Sequence, residues 1–403
     1  MRLFIALAVV CSTALAGIAQ QRPVEKPRAR ELGLTPRIGG TPGPLDAITD
    51  VSGVTVGHAT LIRGEPPLAV GKGPIRTGVT VVHPRGAGNA DPVFGAWFTL
   101  NGNGEMTGTT WLEESGILEG PVAITNTHSV GLVRDAILKW QVARPGLQPW
   151  GLPVVAETYD GSLNDINGFH VTDAHVFQAL DGATSGRVAE GNVGGGTGMV
   201  CHQFKGGIGT ASRVLSPADG GFTVGVLVQC NYGGRPSLRV AGVPVGEEIP
   251  DLLPCTTRPT GSKGERPACD SPRADRVADD DQGSIIVIAA TDAPLLPHQL
   301  KRLATRVSLG VGRMGGYGAN SSGDIFLAFS TANAKSGGAP DRAQVEMLAN
   351  ARITPLFQAT VQATEEAIVN ALLAAETMEG GNGLRVYALP HDRLMAAMKK
   401  SGR

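Results

Sequence analysis

The chain has 403 residues, enough for one large α/β domain or two smaller ones. Its 35 Lys and Arg nearly balance its 36 Asp and Glu, with no dense basic run and no basic–aromatic interleaving, which argues against nucleic acid or an anionic membrane as partner. The 42% apolar content excludes intrinsic disorder, while 56 glycines and only 4% aromatics point to close-packed layers with many tight backbone approaches.

Residues 1–19 read as a signal peptide: Arg2, an apolar run from Leu3 to Leu15, and the small-x-small pattern Ala14-Leu15-Ala16, with a second cut after Ala19 as the alternative. The mature protein is therefore expected in the periplasm or outside the cell. No other stretch approaches about 20 apolar residues, so no membrane association is expected after signal removal. Residues 20–43, rich in Pro and Arg, read as an extended lead-in to a single domain over 44–403.

From Ile48 to Thr127 short strands alternate with Gly-rich turns, as in DVSGVTVGHATL, TGVTVVHP and GPVAITNT. Val130, Val133, Ile137 and Leu138 predict a helix over Ser129–Val142. A second strand-rich region, Pro153–Tyr232, contains PVVAETYDG, GNVGGGTG, GGIGTASRV and FTVGVLVQCNYGG. Between Val245 and Gln282 periodicity disappears, which predicts a long exposed loop. Ser284 then opens SIIVIAAT, a β-branched run typical of a buried strand. A helix from Pro297 follows, with Leu300, Leu303, Ala304 and Val307 on one face, and then a second buried strand in GDIFLAFSTAN. Two further helices are expected, from Asp341 and from Pro355, the last with a stripe of Ala363, Ala367, Ile368, Ala371 and Leu372.

Signal removal leaves four cysteines. Cys255 and Cys269 flank a polar stretch, and in an oxidising compartment a disulfide between them would close that loop. Cys201 and Cys230 lie in apolar surroundings and read as buried thiols acting as small hydrophobes. No CxxC or His/Cys spacing suggests zinc, and neither metal nor cofactor is expected. GNVGGGTG lacks the Lys-Ser/Thr of a phosphate-binding loop and reads as backbone lining a site wall. His58, His128 and His202 fit no HExxH pattern or triad and read as packed or capping residues.

The most informative junction is ADDDQ-Gly283-Ser284-IIVIAAT. A Ser hydroxyl can attack the preceding carbonyl where the backbone bends, and Gly tolerates that bend best. The α-amine freed on Ser284 would have an unperturbed pKa of about 7.7–8.0 and could serve as base for its own hydroxyl. Alone, a Gly-Ser pair is an ordinary loop end; it gains meaning from the motifs around it.

Those motifs are NGNGEMTGTTWLEESG, ITNTHSVGLVRDAI, ETYDGSLNDING, GNVGGGTGM, KGGIGTASR, GSIIVIAATDAPLLPHQLKRLA and SSGDIFLAFST. Together, from about residue 44 onward, they resemble the self-processing L-aminopeptidase/D-Ala-esterase family, which includes the β-aminopeptidases. The resemblance implies an α/β fold, a four-layer αββα sandwich similar to the N-terminal-nucleophile (Ntn) hydrolases but with different strand connectivity. It also implies cleavage into an α chain of about 20–283 and a β chain of 284–403, with αβ units assembled into a homo-oligomer. Ser284 matches the processed nucleophile, and Ser322 with Asp324 matches a Ser-x-acid pair in which the family commonly carries Glu. Asn231 matches the oxyanion-hole Asn and Tyr159 a site tyrosine. Glu157 matches the carboxylate that receives the substrate amine, and strand alternation would put it on one face with Tyr159.

The expected substrates are short peptides, amides or esters with small L-, D- or β-amino N-terminal residues. Two rival readings stay open: acyl transfer to an amine, as in the related ornithine acetyltransferases, and an exported binding protein for small amines without catalysis. The segment 245–282, longer than the family's usual connection, would lie near the mouth of the site, either trimming substrate size or staying mobile after processing.

Overall fold

The computed structural model describes residues 26–147, 150–261, 265–271, 283–338 and 341–402, so the expected signal peptide lies outside the described residues. Ten strands build two main sheets: β1 (Thr55–Arg63), β2 (Ile75–His83), β3 (Val93–Thr99), β4 (Ile117–Leu118), β5 (Val122–Asn126), β6 (Val154–Thr158), β7 (Gly207–Val214), β8 (Thr223–Asn231), β9 (Ser284–Thr291) and β10 (Ile325–Ser330). One sheet runs β1-β2-β5-β6 and the other β4-β3-β10-β9-β8-β7. Only β5–β6 and β9–β10 pair in parallel, and a parallel pair needs a crossover. The principal helices are α1 (Val130–Val142), α2 (Asp173–Asp181), α3 (Pro297–Arg313) and α4 (Thr354–Ala374). Helix α1 makes the first crossover and α3 the second.

Alternation along β9 explains the layering. Ile286, Ile288 and Ala290 join Val56, Val82, Ile124 and Ala156 between the two sheets. Ile285, Val287 and Ala289 face the other way, onto Leu300, Leu303 and Val307 of α3 and Ala363 and Ala367 of α4. Helices α1 and α2 cover the outer face of the first sheet, packing Val133, Ile137, Val176 and Leu180 against Val79, Val81 and Val155. The result is the αββα sandwich expected from the resemblance.

Four local expectations are corrected. Residues 26–43 are not an extended lead-in: Leu34 and Ile38 enter the core with α4, and buried Arg28 sits 2.7 Å from Glu190. The stretch after Asp341 is not helical. Asn333 exchanges hydrogen bonds with the Glu346 backbone and Leu348 N–H donates to Pro294 C=O, so helix begins only at Thr354. The segment after Val245 is partly folded. It opens with a helical turn, Val245–Glu248, and Cys255–Thr256 pairs with Leu384–Arg385 beside Met378–Gly380. Buried Arg235 ties it down by donating to the carbonyls of Ile249, Asp251 and Leu252, while 262–264 and 272–282 of the expected loop lie outside the described residues. Finally, Cys201 and Cys230 are not separate thiols but are bonded to each other, because Val200–Cys201 runs beside the end of β8. Cys255 and Cys269 are joined as well. Among the described residues no helix is long and apolar enough to cross a membrane.

Candidate active site

Strand order assembles the site. Ser284 is the first residue of β9, and Asn231, the last of β8, lies directly opposite it. On the other side β10 pairs with β9 from Ile325 onward, which brings the turn Ser322–Asp324 alongside Ser284. The Ser284 side chain is 5% exposed and its Oγ accepts a 3.0 Å hydrogen bond from Gly323 N–H. Ser322 Oγ donates to Asp324 Oδ1 at 2.6 Å, and Ile285 N–H donates to the same oxygen at 3.2 Å. The shorter acid of this Ser-x-Asp therefore reaches both the neighbouring serine and the backbone one residue beyond Ser284.

Gly283 precedes Ser284 with φ of 127°, in the left-handed half of backbone space. A Cβ at this position would lie 1.9 Å from Asn231 O and 3.3 Å from Asn231 Nδ2. The Asn231 amide is oriented by hydrogen-bond chemistry: Val200 N–H can only donate, so it marks Oδ1 at 2.8 Å, and Tyr159 C=O can only accept, so it marks Nδ2 at 3.1 Å. One N–H of that amide thus engages Tyr159 while the amide stands beside Gly283.

Two motifs hold Asn231 in place. The loop Gly191–Gly198 is wedged between the sheets, where a Cβ at Gly195 would meet Gln229 Oε1 at 2.1 Å, and it leads into Val200. Buried Gln229 donates to Thr125 C=O and Thr158 Oγ1, tying β8 to the opposite sheet just below Asn231.

Tyr159, Asn231 and Gly283 line one cavity of about 250 Å³ with Ser162, Val200, Gln203, Gly233, Pro254, Arg266 and Leu384. Glu157 does not line it, contrary to the expected shared face. Residue 157 is buried, accepting from Thr127 Oγ1 and from Glu105 N–H, because the turn at Gly104–Glu105 folds over it, whereas Tyr159 lies past the end of β6 and is half exposed. Gly104 nevertheless links the two places, since a Cβ there would stand 3.1 Å from Gly323 Cα and 3.3 Å from Glu157 Oε1. Burial pushes the Glu157 carboxyl above its usual range, opposed by its hydrogen bonds from Thr127 and Glu105.

Several supporting residues were not singled out from sequence. Asn101 Oδ1 accepts from Asp324 N–H at 2.7 Å, and Asn103 N–H and Nδ2 hold the carbonyls of Ser322 and Ser321. The NGNG run at 101–104 was the available signal. Buried His202 and partly buried His58 are held near pKa 4 by desolvation, and His128 stacks on Phe169. Among the described residues no group of three or more His, Cys, Asp or Glu is placed to hold a metal ion.

Known proteins share this sequence and fold. The chain is 55% identical to the β-peptidyl aminopeptidase BapA of Sphingosinicella microcystinivorans, covering 98% of this chain and 96% of that one. Its fold matches a Burkholderia sp. β-aminopeptidase at 51% identity and TM-score 0.80, covering 94% of this chain and 99% of that one. It also matches the L-aminopeptidase D-Ala-esterase/amidase of Ochrobactrum anthropi, described as a variant of the Ntn hydrolase fold, at 47% identity and TM-score 0.81, with 94% and 99% covered. The sheets, the serine at the head of β9 and its neighbours thus sit in an Ntn-hydrolase variant. The sequence model of peptidase family S58 matches residues 46–386, so with four-fifths of its length inside that match, the chain belongs to peptidase family S58.

Proposed function

We propose that Ser284 cleaves its own bond to Gly283 and then serves as the N-terminal nucleophile of an aminopeptidase. Its substrates are short peptides, amides or esters with small N-terminal residues, β-amino acids among them. The observation that carries this reading is one buried hydroxyl, Ser284 Oγ, held by Gly323 N–H next to a glycine whose backbone only glycine adopts comfortably. The names of the relatives support the preference for β-amino acids.

Attack of Oγ on the Gly283 carbonyl forms an ester and releases the Ser284 nitrogen as an amine. Water then hydrolyses the ester, leaving a carboxylate on Gly283 and a free amine and hydroxyl on Ser284. In turnover the amine takes the Oγ proton as Oγ attacks the substrate carbonyl, and the departing amine receives that proton. Water then hydrolyses the ester left on Oγ to release the acid and restore Ser284. Asn231 Nδ2 donates to the developing oxyanion, with Tyr159 beside it. Asp324, already accepting from both Ser322 Oγ and Ile285 N–H, orients with Ser322 the new α-amine one residue away. Glu157 takes the substrate's amine from the Gly104–Gly323 side, outside the cavity that Tyr159 lines.

Denaturing electrophoresis of the purified protein tests the first step. Wild type is expected as two pieces divided at 283/284 and Ser284→Ala as one. A panel of p-nitroanilides with β-alanyl, D-alanyl and L-alanyl groups tests the second, with an added amine acceptor to reveal acyl transfer. A wild-type chain that stays whole and inert overturns the reading, and ligand binding without turnover would assign a binding protein instead. We also infer an exported location from the N-terminal apolar run and the two disulfides; cell fractionation checks it, and a cytoplasmic, full-length product rejects it.

A further inference from the structure

We infer that Arg266 makes the cavity beside Ser284 selective for substrates carrying a carboxylate, with the guanidinium pairing to that group while the reacting carbonyl lies at Ser284. The inference rests on the proposed role of Ser284. Arg266 is the one charged side chain among the described residues that line this cavity; its other walls are Tyr159, Ser162, Gln203 and Asn231 with small or apolar residues. Gly283 lines the same cavity, so the residue that Ser284 is proposed to be cut from and Arg266 share one chamber. At about 250 Å³ that chamber takes a small molecule, on which a single charge weighs heavily.

The backbone presenting Arg266 is built rather than loose. On one side Pro267 C=O accepts from Thr256 N–H at 2.9 Å and Cys269 N–H donates to Thr256 C=O at 3.0 Å. The Cys255–Cys269 disulfide closes this turn, and Cys255–Thr256 is itself paired with Leu384–Arg385. On the other side Glu265 accepts from the N–H groups of Thr260 and Gly261, each at 2.9 Å. Arg266 itself is exposed at the mouth. A planar guanidinium offers a carboxylate two parallel hydrogen bonds, a geometry that neither an amide nor an ester can return with charge.

On a substrate the carboxylate is either the C-terminus or an acidic N-terminal side chain, and the rival occupant is the Gly283 carboxylate released by self-cleavage. Matched substrates separate them: a dipeptide, its C-terminal amide, and a dipeptide amide beginning with aspartate, each assayed with processed wild type, Arg266→Met and Arg266→Lys. In Arg266→Met the preference for one carboxylate-bearing substrate over the neutral amide is expected to fall about tenfold, through KM rather than kcat, with Arg266→Lys intermediate. Which substrate loses its advantage identifies the source. In wild type the same preference should shrink as salt rises, a measurement independent of any variant. Unchanged preference in Arg266→Met, or insensitivity to salt in wild type, overturns the proposal. If turnover of the neutral amide also rises in Arg266→Met, the guanidinium was holding the chain's own Gly283 carboxylate, which overturns the substrate role. A wild type that neither cleaves itself nor turns over any substrate defeats the proposed function rather than this inference.

Discussion

Gly283 lies so close to Asn231 that a β-carbon on it would stand 1.9 Å from the Asn231 carbonyl oxygen. The contact joins the residue before the proposed scissile bond to the strand that supplies the neighbouring amide. It also means that position 283 excludes a side chain twice over, by contact and by its φ of 127°. Gly283→Ala must either shift β8 or abandon this backbone conformation, and strained conformations of this kind cost about 1–3 kcal/mol. Self-cleavage is therefore expected to slow by about tenfold or more, followed as the fraction of intact chain against time. An alanine variant that processes as fast as wild type would show that the observed bend has no part in the cut.

Removing the Asn231 side chain deletes the N–H donor beside Gly283 together with the acceptor for Val200 N–H. Asn231→Ala is expected to lower kcat by about 10²–10³ with little change in KM, since an oxyanion donor acts where charge develops. Asn231→Asp should be no better, because a carboxylate has no N–H for Tyr159 C=O and would repel an oxyanion. Steady-state kinetics on processed material decides the matter, and wild-type kcat in Asn231→Ala would remove this residue from the chemistry.

The pH dependence of substrate capture follows from Glu157. Burial raises its pKa, so it holds its proton to higher pH than an ordinary glutamate, and only the ionised form can pair with an ammonium group. KM is accordingly expected to rise as pH falls through a value above the usual carboxylate range. Glu157→Gln should raise KM across the whole pH range and flatten that acid limb. An acid limb of kcat/KM that persists unaltered in Glu157→Gln would mean that another group titrates there.

What was legible in the sequence was local. The β-branched run after Ser284 marked a buried strand, and the apolar spacing from Pro297 marked its crossover helix, because both patterns express burial within a few residues of themselves. The long in-order motifs placed Ser284, Asn231, Tyr159, Ser322 and Asp324 in one candidate site. The helix expected from Asp341 failed because its hydrogen bonds run to Asn333 and Pro294, partners that no local period reveals.

The amino-acid sequence by itself therefore determined the main strands and their crossover helices, the Gly-Ser junction and the residue types around it. Tertiary structure alone decided that β9 lies between β8 and β10, and so that Ser284 stands between Asn231 and the Ser322–Asp324 turn. It alone joined Cys201 to Cys230, separated Glu157 from the cavity that Tyr159 lines, and carried Arg266 to its mouth. The physical reason is common to all of these. Propensity and periodicity act over a turn of helix or a pair of strand residues, whereas the neighbours of a strand are chosen by how whole sheets and helices bury their apolar faces against one another.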